Sequence, residues 1–340
     1  MKKYNIYFVL FCFVNTLFYA CAQKTKTELI LDKIIEHAEN NSLYRENIDW
    51  NVLKKEMFSL AKGADSMAQL KPALDLMLNR LNDTHGRIFY NNQFLSYYIG
   101  DKKLHRKNID SKIYNQIQSG QIYKFKATML QDSIGYVRIV GLPMGDNQKM
   151  STEIQDAACR INEQGAKKWI IDLRYNGGGN MFPMIEGIAT VVGDGFVGGT
   201  KGLTDEESSV WKIKDGDFYY DEQTVALKNK CYLTKQPKVA VLLSPYTASS
   251  GEALAVILKN RPNTRFFGGK TMGLVTVTDW KQIDSLTMMS ISVSYYKDRN
   301  NNVYKEYVDV DEKIEFDPDI DIEDDKGINR AIEWLNNEKE

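Results

Sequence analysis

The chain has 340 residues, 44 basic and 45 acidic, a formal net charge of -1 and 43% hydrophobic side chains. That length can bury a full core in one large domain or two modest ones, and the composition is that of an ordinary globular protein. With charges so nearly balanced and no dense basic tract, no field is present to hold nucleic acid, which is excluded as an expected partner.

At the N-terminus Lys2-Lys3 precedes an apolar run over residues 6–19, broken only by Asn15 and Thr16 and followed by Ala20-Cys21. This is an export signal, shorter than the about 20 apolar residues of a spanning helix and met promptly by the polar Gln23-Lys24-Thr25-Lys26. Residues 1–21 are therefore set apart from the fold. A small residue directly before a cysteine resembles a bacterial lipoprotein cleavage site, with Cys21 as the lipidated new N-terminus. Plain secretion and an uncleaved anchor are the other readings. Acyl chains contribute about 0.8 kcal/mol per buried CH2, so a multiply acylated Cys21 would attach the exported chain to a bacterial cell membrane without a spanning helix.

Residues 27–81 follow a helical period: Leu31, Ile34, Ile35 and Ala38, then Val52, Leu53, Met57 and Leu60 behind the capping candidate Asp49, then Leu70, Leu74, Met77, Leu78 and Leu81. They predict a small N-terminal helical bundle over residues 25–83. After Gly86 the texture becomes β-type, in Ile88-Phe89-Tyr90, in residues 123–127 and in residues 133–140. A helix through Ala157, Ile161 and Ala166 precedes the apolar strand Trp169-Ile170-Ile171-Asp172-Leu173, and Val239-Ala240-Val241-Leu242-Leu243 is a second such run. Runs like these are buried on both faces. Each leads through a loop into a helix, over residues 184–192 and 252–258, so residues 84–340 predict a largely parallel α/β domain with its site at the carboxyl ends of the strands. The acidic stretch 309–325 reads as a loop and solvated approach to the C-terminus. Cys159 and Cys231, which remain after the leader, read as two buried small apolar side chains. His37, His85 and His105 show no ligand spacing, and neither metal nor cofactor is expected.

Three loops carry candidate chemistry. Thr247-Ala248-Ser249-Ser250-Gly251-Glu252 follows the second buried strand. Small neighbours at a strand-to-helix turn expose a serine hydroxyl and free the next N–H for an oxyanion; a plain helix start, with Ser249 or Ser250 as the N-cap, reads equally well from the hexapeptide alone. Asp172-Leu173-Arg174-Tyr175-Asn176-Gly177-Gly178-Gly179-Asn180 ends the first buried strand, and three successive glycines allow backbone N–H groups to approach a ligand closely. It lacks the Lys-Ser or Lys-Thr of a phosphate loop. Leu81-Asn82-Asp83-Thr84-His85-Gly86 joins bundle to sheet, and His85, with an ordinary pKa of about 6.5, can deprotonate a serine near neutral pH.

Together these loops resemble the tail-specific, or C-terminal processing, serine peptidases and the related tricorn-core proteases, over roughly residues 80–320 and including Asp317-Pro318-Asp319-Ile320. The resemblance implies a crotonase-like α/β core, Ser249 as nucleophile in a Ser-x-x-Glu element with Glu252, and an oxyanion hole from the N–H groups of Gly178 and Ser250. The Ser-Lys branch places a lysine in Gly-x-x-Thr-x-Gly-Lys-Gly, where this chain has Leu274. Lys270 lies four residues early, and its use as base would require lowering a pKa of about 10.4 by some 3 units, roughly 4 kcal/mol. Thr84-His85 resembles instead the histidine of the tricorn-like branch, with Glu312 in the place of the distant carboxylate and Glu306 or Asp309 as substitutes. Residues 91–132 are too few for an inserted PDZ domain, since domains commonly begin at about 50 residues. The expectation is a serine peptidase acting on extended polypeptide tails; the rival is a non-catalytic binder of peptides or apolar ligands on the same fold.

Overall fold

The computed structural model describes residues 24–98, 115, 125–131, 133–227, 230–233, 236–317 and 322–337. The leader with Cys21 lies outside these residues, as do His105, Tyr123, Lys124 and Pro318 to Ile320. Among the described residues no helix is long and apolar enough to cross a membrane.

The N-terminal helices form where the apolar period places them. α1 (Lys26–Asn41) opens on a capping box, Thr25 accepting from the Glu28 N–H while Glu28 accepts from the Thr25 N–H. Asp49 caps α2 (Trp50–Leu60) at 3.1 Å from the Val52 N–H, and α3 (Met67–Leu81) stops at Asn82 in the left-handed conformation. Their buried faces do not close on one another alone. Leu31, Ile34, Leu70, Leu74 and Met77 share a core with Ile88 of β1 (Arg87–Tyr90) and with Met289 and Ile291 of a later strand, so the bundle is seated on a sheet.

Beyond the hairpin of β1 with β2 (Gln93–Tyr97), the chain runs β3 (Lys126–Leu130), β4 (Ile134–Arg138), α4 (Asn147–Glu163), β5 (Lys168–Asp172), α5 (Met181–Gly187) and α6 (Ala189–Val192). Then come β6 (Gly195–Lys201), β7 (Ser209–Lys214), β8 (Asp217–Tyr220), β9 (Gln223–Thr224), β10 (Lys238–Leu243), α7 (Ser250–Leu258) and β11 (Thr264–Gly268). β12 (Thr276–Gln282), β13 (Thr287–Asp298), β14 (Glu312–Lys313) and α8 (Lys326–Asn336) complete the order.

One sheet runs β14-β11-β10-β5-β4-β3 and is parallel except at the β3–β4 pair. The expected apolar strands are its centre: Ile171, Val239, Val241 and Leu243 face α4 to α7, while Ile170, Ala240 and Leu242 face Ile328, Ala331 and Trp334 of α8. Burial on both faces explains the continuous apolar runs. The second sheet, β2-β1-β13-β6-β7-β8-β9 with β12 also paired to β13, is antiparallel. This is the α/β architecture expected, with helices and a parallel sheet behind an N-terminal helical layer.

At the end of β5, Arg174 is buried and forked between Asp172 and Asp325, the N-cap of α8. Its positive charge holds Asp172 below the ordinary carboxylate range although burial acts the other way. A buried charge with both neighbours supplied fixes the strand end that feeds the glycine loop.

One expectation is overturned. Cys159 and Cys231 are not separate apolar side chains but a disulfide closing 72 residues, with Cα atoms 5.6 Å apart. The pairing follows from the docking of α4 beside the segment before β10, a tertiary adjacency that cysteine spacing does not encode.

Candidate active site

The loops that leave β5 and β10 lie against each other. Ala248 N–H donates to the Asn176 carbonyl at 2.9 Å, and a methyl group added at Gly178 would meet Ser249 Cβ at 2.8 Å. Gly251 packs as tightly on the Asn176 backbone. Glycine at 178 and 251 is thus what allows the two turns to touch, and Gly178 also needs its φ of +104°.

Ser249 itself is the N-cap of α7, but at φ 53°, ψ −119° and not in the extended conformation usual for a cap. That conformation is costly for a residue with a Cβ, of order 1–3 kcal/mol, and persists only when its surroundings over-determine it. The neighbouring Glu252 does this. Its Oε2 accepts the N–H groups of Ser249 and Leu274, each at 2.8 Å, and its Oε1 accepts the Gly273 N–H and the Thr271 hydroxyl. Glu252 is fully buried, and burial pushes its carboxyl up to about 7 against the pull of those four donors. The Tyr296 side chain is buried near Ser249, and burial first, with the Glu252 charge second, raises its phenol pKa. Ser250 Oγ donates to the Gly179 carbonyl at 2.6 Å. The Ser250 N–H has no backbone acceptor among the described residues, whereas the Gly178 N–H is engaged by Asn176 Oδ1 at 3.0 Å.

His85 lies in the turn between α3 and β1. Its Nδ1 is 3.0 Å from Thr276 Oγ1, which is 2.9 Å from Ser292 Oγ, which donates to Asp83 Oδ1 at 2.7 Å. Asp83 is fully buried and also takes the N–H groups of Ser292 and of His85 itself. Histidine, two hydroxyls and a carboxylate therefore form one closed ring of hydrogen bonds. Burial first, and the nearby Arg87 charge second, lower the His85 pKa to about 3, so the imidazole is neutral. β13 runs past both assemblies, with Tyr296 near Ser249 and Ser292 in the hydrogen-bonded set behind His85. Beside them a cavity of about 420 Å³ is lined by Thr84, Lys270, Met272, Gly273, Tyr295 and Tyr307, among others.

Of the residues named from the sequence, Ser249, Ser250 and Gly178 are in contact, and Thr84 lies on the cavity wall. Glu312 is elsewhere: on β14, between Arg265 at 3.3 Å and Arg330 at 2.7 Å, with no bond to His85 or Thr84. Lys270 Nζ sits 4.5 Å from the Tyr307 ring centroid, and the main chain at Leu274 serves Glu252. Sequence reasoning missed Asp83, Thr276, Ser292 and Tyr296. Asp83 stands two residues before His85, the one available signal; the others look like ordinary polar or aromatic positions of alternating strands.

The family model described as peptidase family S41 matches residues 133–322. The chain is 28% identical over 166 residues, 49% of each chain, to the nisin-resistance protein of Lactococcus lactis subsp. lactis. It is 26% identical over 166 residues to a carboxyl-terminal-processing protease of Picosynechococcus, covering 49% of this chain and 35% of that one. The matches thus span about half or less of these relatives. Among solved structures, a lipoprotein from Streptococcus agalactiae superposes with a TM-score of 0.69 at 17% identity, over 98% of this chain and 99% of that one. The photosystem II D1 C-terminal processing protease gives 0.54 at 14% identity, over 90% and 97%. At such identities the superpositions bear on the fold alone.

Proposed function

The chain belongs to peptidase family S41 and is a serine peptidase, and from that premise we propose that Ser249 is its nucleophile and His85 its base. The observation that carries the proposal is the left-handed backbone of Ser249 at a strand-to-helix turn, pinned through its own N–H by Glu252. A helix cap needs no such conformation; a nucleophile held up to a substrate carbonyl does. Ser249 Oγ attacks the carbonyl carbon of the scissile bond, and His85 takes the hydroxyl proton and delivers it to the leaving amine. Water then repeats the sequence on the acyl-enzyme.

Nδ1 of His85 is occupied by Thr276, which leaves Nε2 for the serine proton. The Thr276–Ser292–Asp83 ring fills the orienting role that the resemblance assigned to Glu312, with Thr84 on the substrate side. A pKa of about 3 keeps the imidazole unprotonated at neutral pH but makes it a weaker proton acceptor than the ordinary histidine expected from the sequence. The negative charge that develops on the substrate oxygen offsets the burial and the Arg87 charge that oppose protonation. The Ser250 N–H and the Gly178 N–H, the latter drawn from Asn176, supply the oxyanion hole. Substrates are extended peptides entering by the cavity beside Thr84. Export agrees with the disulfide, and attachment through Cys21 agrees with the lipoprotein named among the structural neighbours.

Labelling with a fluorophosphonate tests the assignment. The wild-type chain should be labelled at Ser249, and Ser249→Ala and His85→Ala should not. An unlabelled wild-type chain would favour the non-catalytic binder, and loss of labelling in Lys270→Ala but not in His85→Ala would move the base to Lys270.

A further inference from the structure

The sheet that presents His85 continues past it as an exposed aromatic strip. Residues directly opposite one another in an antiparallel sheet share a face, and faces alternate along each strand. On β13, Met289 and Ile291 face the helical bundle, as does Ile88 of β1. The other face carries Ser290, flanked by Arg87 on β1 and Trp280 on β12. The next row on that face is Met288, flanked by Phe89 and Gln282, with Phe94 of β2 beyond Phe89. Ring contacts agree with this register: Phe89 stacks on Trp280 at 5.4 Å between centroids and lies 4.7 Å from Phe94. Trp280 is 56% exposed and Phe94 66% exposed.

The strip begins at the catalytic turn. Ser292, in the ring behind His85, pairs with Thr278, the row immediately before that of Ser290. Arg87, whose charge acts on His85, stands in the Ser290 row itself. From Ser292 to Met288 is four residues, roughly 13 Å at ~3.3 Å per residue, the reach of about four residues of an extended peptide.

We propose that Phe89, Phe94 and Trp280 form a substrate subsite that receives an aromatic or large aliphatic side chain of the polypeptide about four residues from the scissile bond. The inference rests on His85 acting at the catalytic centre. Continuity with His85 on one sheet face favours substrate over any other occupant, because a peptide leaving the base in extended conformation runs onto these rings. Stacked, partly exposed aromatic rings grip an apolar side chain by area and by edge or face contact and are indifferent to its exact shape. The subsite selects for an apolar residue at a distance from the cleavage point, where binding energy raises kcat/KM without touching the reacting atoms.

Internally quenched decapeptides test this, with a single Phe, Leu or Ser scanned from three to six residues on either side of the cleaved bond. The wild type should favour Phe and Leu over Ser at one such position by about tenfold or more. Trp280→Ala with Phe94→Ser should abolish that preference by lowering kcat/KM for the Phe and Leu peptides alone, and Trp280→Tyr should retain most of it. A preference that survives the double substitution, or an equal loss on all three peptides, overturns the subsite. So does an unchanged preference accompanied by a change in sedimentation or in binding to phosphatidylcholine vesicles, which would give the strip to a second copy or a bilayer. A wild-type chain that labels at Ser249 yet shows no preference sinks the subsite only; a chain that does not label sinks the catalytic assignment beneath it.

Discussion

Replacing Glu252 by glutamine tests the physical account of the Ser249 turn. Each carboxylate oxygen takes two donors, but an amide has only one oxygen. Its NH2 is best turned toward the Oε1 side, where the Thr271 hydroxyl can rotate to accept, and it then strands the Gly273 N–H. The cost of one stranded, partly buried N–H lies within about 1–3 kcal/mol. The protonated acid escapes this cost, because its hydroxyl oxygen still accepts. With the folded-state pKa raised from 4.5 to about 7, the wild type binds a proton in the native state that the unfolded chain has released. Its stability is therefore fully present below pH 4.5 and declines by about 3 kcal/mol as pH rises through 7. Glutamine does not titrate. Urea unfolding should accordingly show Glu252→Gln less stable than wild type by about 2 kcal/mol at pH 5, with the deficit closing toward zero at pH 8. A deficit that grows with pH would refute the reasoning, for it would mean that the four donors, and not burial, set the charge state.

Gly178→Ala places a Cβ 2.8 Å from Ser249 Cβ and 3.1 Å from the Ala248 carbonyl oxygen, at a φ that disfavours side chains. Fluorophosphonate labelling should slow by about tenfold or more, since small displacements of reacting groups are costly, while far-ultraviolet circular dichroism stays native. Reducing Cys159–Cys231, or replacing both cysteines by serine, opens a 72-residue closure and should lower stability by about 4 kcal/mol in urea melts on the chain-entropy model. Arg174→Met leaves Asp172 and Asp325 buried without their cation and should cost about 3–5 kcal/mol, the range for breaking a buried pair. A loss under 1 kcal/mol would show that solvent or Arg138 supplies the missing charge.

The parallel sheet was legible because burial on both faces leaves an uninterrupted apolar run, and β5 and β10 carry two of them. The turns that follow were legible because three glycines after a buried strand, and a serine among small residues, are hard to explain as ordinary connections. What escaped is what depends on adjacency across the fold. Thr276 and Ser292 occupy strand positions where any small polar residue reads as solvent-facing, although both are buried in the ring behind His85. Glu312 takes the place of the tricorn-like carboxylate by its position along the chain, but position along a loop says little about direction, and Arg265 and Arg330 hold it. Glu252 is legible only as the last residue of the Ser-x-x-Glu element; its bonds to Thr271, Gly273 and Leu274 come from a loop some twenty residues away.

The bundle shares its core with Met289 and Ile291, and α3 ends in the turn that carries Asp83 and His85. The histidine and its carboxylate are thus borne by the first-made part of the chain, and the serine by a helix about 165 residues downstream, with β13 as the seam between them. A nascent or partly unfolded chain in which the helices have not seated on β13 lacks the Ser292 bonds that hold Asp83 and, through Thr276, His85. On the proposed assignment, such a chain would hold Ser249 without an aligned base, and cleavage would begin only once β13 has closed over the first helices.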